Sequence, residues 1–336
     1  MLLADLGAEV VRIEREGSQV SNPVVERARH RAAVDVKSAP GKAFCLDAIA
    51  KADVLIEGFR PGVMERLGLG PDEMLRHNPR LVYARMTGWG QDGPVAQAAG
   101  HDINYIAITG ALDAVGRARE TAVPPQNLVG DFGGGSMYCA FGILAALFER
   151  ESSGQGQVVD AAIVDGATSL MSFFFGVRES GRLKTDRGKG MLGGAAHFYR
   201  CYECADGREI SVGAIEPQFY AELLEKAGAP EELIDGQMNP DNWDDYTSRL
   251  EALFKTKSAA EWTDMLEGSD ACFGPVLSLE EARDHPHMKA RGAYVEQDGT
   301  WHSAPAPRFS RTPGSVRDSA MDGADIVARW KAEGKA

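Results

Sequence analysis

Short apolar segments that alternate with helical stretches through the first half of the chain constrain its fold more than any other feature. Ala8–Glu14, Asp53–Glu57, Leu81–Arg85 and Val158–Ala162 each read as a short strand. Between them, residues 40–52 carry a helical pattern (Ala43, Leu46, Ile49, Ala50), a short helix follows around Val63–Leu67, and Pro71 opens another. Met137–Arg150 is the clearest helix, with Met137, Phe141, Leu144 and Phe148 on one face and Ser152-Ser153-Gly154 as its stop. Val164–Val177 reads as one more apolar helix. Strands alternating with helices argue for a parallel sheet covered on both faces, a doubly wound α/β fold of Rossmann-like type.

Beyond Lys184–Gly194, a Gly-rich basic stretch read as a linker or exposed loop, the pattern changes. Tyr199–Ile215 suggests a hairpin around Asp206-Gly207, followed by helices at 218–227, 244–254 and 259–266. The expected organisation is a large domain over 1–183, completed by 304–336, a linker at 184–197, and a smaller α+β domain over 198–303.

The 336 residues carry 36 Lys and Arg against 49 Asp and Glu, a net charge of −13, which excludes a general nucleic-acid surface. Five cysteines at irregular spacing suggest reduced thiols and an intracellular setting. The opening Met1–Asp5 meets an acid at once and is not read as a signal peptide. The longest apolar run, Tyr138–Phe148, is shorter than a bilayer requires, so no membrane role is expected.

Four patches bear chemistry. In Gly100-His101-Asp102-Ile103-Asn104-Tyr105, His101 is either a general acid/base or an incidental member of a helix-capping cluster. Asn127 to Met137 contains Asp131 and three consecutive glycines and runs into the best helix. Asp131 there is either a base, favoured in its ionised form ahead of a helix start, or a capping residue. Glu216, before Pro217, either orients a histidine or favours a helix start. Between Gly58 and Gly90, Arg60, Arg66, Arg76, Arg80 and Arg85 face Glu65, Asp72 and Glu73, a local excess of +2 suited to phosphates. Cys201-Tyr202-Glu203-Cys204 reads as two packed thiols, His285-Pro286-His287 as a turn, and Phe173-Phe174-Phe175 as core.

Together these stretches resemble the alpha-methylacyl-CoA racemases, within the family III CoA-transferase (CaiB/BaiF-type) fold. The matching segments are Leu6–Ile13, Ala52–Gly62, Ala84–Gly90, Gly100–Tyr105, Asn127–Met137, Gly213–Gln218 and Ala306–Ser310. The resemblance implies an isomerase of fatty-acid metabolism that inverts the α-carbon of 2-methylacyl-CoA thioesters by 1,1-proton transfer. It implies His101 and Asp131 as the two bases, Glu216 orienting His101, and Asn127 supporting the Asp102 side. The Asp102 backbone N–H would be the donor to the enolate. For CoA it implies Arg15, Val34, Asp35, Val36, Lys37, Gly58, Phe59, Arg60, Arg66 and Gly100 to Tyr105. CoA is part of the substrate, so no separate cofactor and no metal are expected.

The resemblance further implies an interlocked homodimer in which Glu216 comes from the partner subunit. It implies a cytoplasmic location in bacteria or an organellar one (peroxisomal or mitochondrial) in animals, although Gly334-Lys335-Ala336 is no clear peroxisomal address. Relatives carry an extra strand, a Gly-containing loop and a half-helix ahead of the counterpart of Leu3. The apolar 171–177 stretch and the Met191 region are candidates for an acyl surface. Two alternatives stand beside the racemase: a CoA-transferase with Asp131 as nucleophile, and a non-catalytic acyl-CoA-binding protein.

Overall fold

The computed structural model describes residues 1–19, 22–181, 184–318 and 321–333. The Gly334-Lys335-Ala336 ending and the 183 boundary lie outside them. The described chain divides into two compact units: residues 1–105, 128–167 and 281–336 form the first, and 106–127 with 168–280 the second.

The first five strands of the first unit run parallel, in two sheets. β1 (Val10–Glu14) pairs with β2 (Arg29–Ala33), and β3 (Val54–Glu57), β4 (Val82–Thr87) and β5 (Val158–Ala162) form a second sheet with β4 at its centre. β2 escapes the pattern reading because Arg29, His30 and Arg31 break its hydrophobicity. Burial of β4 on both faces follows from its sequence. Leu81 and Tyr83 pack with Cys45, Ile49, Met64, Leu69 and Met74 on one side. Val82 and Ala84 pack with Cys139, Ile143, Ala146 and Ala161 on the other. This is the two-sided helical cover that alternating elements imply.

The Leu128–Met137 stretch is a π-helix continuous with the Tyr138–Ser153 α-helix, so Asp131 lies in the first turn of a helical run and not ahead of it. The glycines make the wide helix possible at close quarters. A Cβ on Gly166 would stand 1.8 Å from the Gly134 carbonyl oxygen, and one on Gly134 would stand 2.6 Å from the Ala167 nitrogen.

The Met137, Phe141, Leu144 and Phe148 face points outward, with Phe141 72% and Phe148 81% exposed, while the opposite face is buried. The complete Leu128–Ser153 helix has 26 residues, and an 18-residue stretch of it has a mean hydropathy of 1.3, so it is long and apolar enough to cross a membrane, which the Tyr138–Phe148 run alone is not. Its inner face nevertheless packs on β4 and β5. Phe173 and Phe175 are half exposed and do not belong to a core, and the Val164–Val177 helix is two helices, Ile163–Leu170 and Ser172–Glu179.

In the second unit, β6 (Tyr199–Glu203), β7 (Glu209–Gly213) and β8 (Phe273–Pro275) form an antiparallel sheet. The helices Pro217–Ala227, Trp243–Phe254 and Ala259–Leu266 enclose Phe198, Tyr202, Tyr220, Leu250, Phe254 and Trp262. Residues 184–197 pack within this unit, with Arg187 2.7 Å from Asp113 and Ala196 and His197 fully buried. Cys204, one residue past β6, is buried as expected, but Cys201 within β6 is exposed and not packed. The hairpin β9 (Tyr294–Gln297) and β10 (Thr300–Ser303) returns to the first unit. His285 caps the Pro286–Ala290 helix, its Nδ1 accepting the His287 N–H, where a simple turn is expected.

Candidate active site

A cleft of about 370 Å³ opens where the three parallel strands of the β3–β4–β5 sheet end. Ile56, Glu57 and Gly58 line it at the end of β3, Met86, Thr87 and Gly88 at the end of β4, and Ile163 just after β5. His101, Tyr105 and Asp131 complete the wall. Ligands of open parallel sheets bind at this edge, because the connecting loops there come from helices on either side. All the lining residues belong to the first unit.

His101 stands one residue before the Asp102–Ala107 helix. Its backbone N–H donates to the Asn104 Oδ1 at 3.1 Å, while its carbonyl accepts from the Asn104 and Tyr105 N–H groups. Asn104, expected against CoA, therefore holds the His101 turn. The Tyr105 hydroxyl donates to the Gly100 carbonyl, and its ring meets Trp89 edge-on with centroids 4.8 Å apart. Gly88 must lack a side chain for this, since a Cβ there would lie 2.1 Å from the Tyr105 ring. Burial raises the Tyr105 phenol above its usual pKa; the Asp131 carboxylate adds to the rise and Arg60 opposes it.

The His101 and Asp131 segments are joined by Asp102. Its buried carboxylate accepts the Asp131 backbone N–H through Oδ2 at 2.7 Å. Gly130 makes room, because a Cβ there would sit 2.2 Å from that oxygen. The side chain of Asp102 thus supports Asp131 directly, in addition to the backbone role that the resemblance implies. Asp131 also closes a turn of its own helix, its carbonyl accepting from the Ser136 hydroxyl at 2.8 Å.

The other expected residues fall in different places. Arg15 follows β1 and Val34 to Lys37 follow β2, both at strand ends of the smaller parallel sheet. The 34–37 loop is tight: the Val34 N–H donates to the Glu14 carbonyl at 2.8 Å and the Lys37 N–H to Asp35 Oδ1 at 3.0 Å. Phe59 and Arg60 follow the cleft residue Gly58 and are exposed, as is Arg66 in the Val63–Arg66 helix. Asn127 and Glu216 belong to the second unit; Glu216 is exposed at the start of the Pro217–Ala227 helix.

The basic patch dissolves on inspection. Arg85 is buried against Glu57 and Glu65, Arg76 pairs with Glu73, and Arg80 faces Glu151 at 3.4 Å. Arg60 and Arg66 are what that stretch leaves for an anion. Sequence reasoning missed Ile56, Glu57, Met86, Thr87, Gly88 and Ile163 as lining residues. Their position at strand carboxyl ends was the available signal.

Comparison with known proteins agrees with this geometry. The model of CoA-transferase family III matches residues 1–325. The chain is 46% identical over 314 residues to the alpha-methylacyl-CoA racemase of Mus musculus, covering 93% of this chain and 82% of that protein. To the Homo sapiens protein of the same name it is 43% identical over 316 residues, with the same coverage. Among solved structures, a CaiB/BaiF family protein from Brucella suis superposes with a TM-score of 0.82 at 23% identity, covering 98% of this chain and 93% of that one. A fold shared across that distance, a family match over nearly the whole sequence and relatives of this identity lead to one assignment: the chain belongs to CoA-transferase family III.

Proposed function

We propose that the protein is an isomerase that inverts the α-carbon of 2-methylacyl-CoA thioesters by 1,1-proton transfer, with His101 and Asp131 as the two acid/base groups. The observation that carries this reading is that an imidazole and a carboxylate line one cleft at the strand ends of a family III fold. The names of the mammalian relatives point the same way.

The chemistry explains the pair. Inversion requires one group to take the α-proton from one face and another to deliver a proton to the opposite face, so each must serve as acid or base according to the substrate's hand. General acid–base assistance supplies roughly 100- to 10,000-fold. A thioester α-proton is far less acidic than imidazolium or a carboxylic acid, so the enolate also needs a donor at its oxygen. The Asp102 N–H, at the first residue of the Asp102–Ala107 helix, is assigned that role, typically worth about 3–4 kcal/mol. Arg60 and Arg66 are assigned to the CoA phosphates, and Arg15 and Val34 to Lys37 to the nucleotide. CoA enters as part of the substrate, so the reading needs no separate cofactor.

The active species in this reading is a homodimer, in which the partner's Glu216 accepts the His101 ring N–H and Asn127 supports the Asp102 side. The exposed apolar face of the Leu128–Ser153 helix supports an assembly, since such a face is costly in water. His101 favours the racemase over a transferase, whose nucleophilic route through Asp131 has no use for an opposing base. The test is α-hydrogen exchange of a 2-methylacyl-CoA in deuterated water with no acceptor acid present. Exchange is expected. Turnover only with an acceptor acid, with an acyl-enzyme trapped by hydroxylamine, would establish the transferase instead.

A further inference from the structure

We infer that Arg85 is a positioning residue: a buried guanidinium that fixes the Gly58–Arg66 segment, which leaves the cleft edge at Gly58, without touching ligand. This rests on the acyl-CoA reading above. Arg85 lies near the end of β4, in register with Glu57 at the end of β3. Its Nε donates to Glu57 Oε1 at 2.9 Å, and its Nη1 donates to Glu65 Oε1 at 2.9 Å. Glu57 is held at both oxygens, since Oε2 accepts the Phe59 backbone N–H at 2.7 Å.

One side chain therefore ties β4 to both ends of the loop that turns from β3 into the Val63–Arg66 helix. The loop cannot hold itself by packing, because Gly58, Phe59 and Arg60 are exposed. Gly62, at φ 81°, adds a left-handed turn just before the helix. Yet Gly58 lines the cleft, Arg60 acts electrostatically on the lining residue Tyr105, and Arg60 and Arg66 are the cations assigned to phosphate in the reading above. A ligand that meets a loop already in place loses less freedom on binding.

Electrostatics agrees with the geometry. Burial works against the Arg85 charge, but hydrogen bonds to Glu65 and the charges of Glu57 and Glu65 more than offset it, and the pKa rises. Glu65 titrates low: burial opposes the shift, and backbone bonds and Arg85 outweigh it. The fork matters as much as the charge, because a lysine ammonium cannot address two carboxylates in a fixed plane.

The test titrates CoA alone into the folded wild type, Glu65→Gln and Arg85→Lys, and measures α-hydrogen exchange kinetics and melting temperature on each. Glu65 is 43% exposed, so Glu65→Gln leaves the buried Arg85–Glu57 pair intact and should fold. It is expected to raise the CoA Kd and the substrate KM about threefold, with kcat within about twofold. Arg85→Lys is expected to raise both about tenfold or more. A folded Glu65→Gln with wild-type Kd and KM, or a parallel loss of kcat, overturns the inference. So does a folded Arg85→Lys indistinguishable from wild type. Failure of the wild type to exchange the α-hydrogen would reject the racemase reading alone, because CoA binding is read independently.

Discussion

Gly130 has no side chain because the Asp102 carboxylate occupies that space. That single omission lets a buried carboxylate reach the Asp131 N–H and so fixes one proposed base relative to the loop carrying the other. Gly130→Ala is expected to push Asp102 aside and cost roughly 1.5–3 kcal/mol of that bond, or about 10- to 100-fold in exchange rate. CoA affinity should hold, which a titration alongside the kinetics would show. His101→Ala and Asp131→Ala should each cost the full acid/base contribution, about 100- to 10,000-fold, again with CoA affinity kept. Retained exchange in either variant would remove that residue from the mechanism. In the second unit, His197 is fully buried, its Nε2 2.8 Å from the Tyr220 hydroxyl. Burial, with Arg200 adding to it, lowers its pKa from 6.5 to about 4. The unfolded chain therefore binds a proton at His197 that the folded chain refuses between those values. Stability from this site is complete above pH 6.5 and lost as pH falls toward 4. Melting temperatures across that window should fall, and less steeply in His197→Gln.

At the scale of elements, the continuous π- and α-helix from Leu128 to Ser153 does two things at once. Its wide turns present Asp131 to the cleft, and its glycines let it lie against the Ile163–Leu170 helix almost backbone to backbone. Gly166→Ala should cost roughly 1–3 kcal/mol or more, because the clash is with backbone that cannot rotate away. Both melting temperature and exchange rate should drop, since the helix carrying Asp131 must shift. Gly156→Ala offers the contrast. Its Cβ would lie 1.9 Å from the Leu81 carbonyl oxygen, at the start of β4, at the edge opposite the cleft. Lowered melting with kcat maintained is expected there, and a parallel loss of activity would count against separate roles for this loop contact and the helix contact at Gly166.

At the scale of the whole molecule, the outward helix face bearing Phe141, Leu144 and Phe148 leaves three large apolar side chains more than half exposed. Under the proposed dimer it is covered by a second copy. Phe141→Glu with Phe148→Glu should then yield a folded monomer by sedimentation that binds CoA but exchanges no α-hydrogen, for want of the partner's Glu216. Should the double variant remain dimeric and active, while wild type floats with vesicles and the variant does not, the helix would be a membrane contact instead.

Much of the architecture was legible because parallel strands buried on two faces must be apolar and short, and helices between them must repeat every three or four residues. β5 and the Ala259–Leu266 helix follow their patterns residue for residue. β2 was hidden by Arg29, His30 and Arg31, of which His30 meets the Met321 carbonyl and Arg31 meets Glu14. His101 and Asp131 could be picked out as residue types suited to proton transfer, but nothing in their spacing brings them to one cleft. That took the convergence of three strand ends and the space left at Gly130. Likewise, periodicity marks a helix as two-faced without saying which face turns inward. An apolar face on this helix looks outward because β4 and β5 take the other, and five clustered arginines shrink to two because folding delivers Glu57, Glu65 and Glu151 to Arg85 and Arg80, while Arg76 takes its helical neighbour Glu73. Local pattern, then, determined the elements and the candidate chemistry. Which groups meet, and which charges are consumed, was decided by contacts between residues far apart along the chain, where only three-dimensional packing sets the distances.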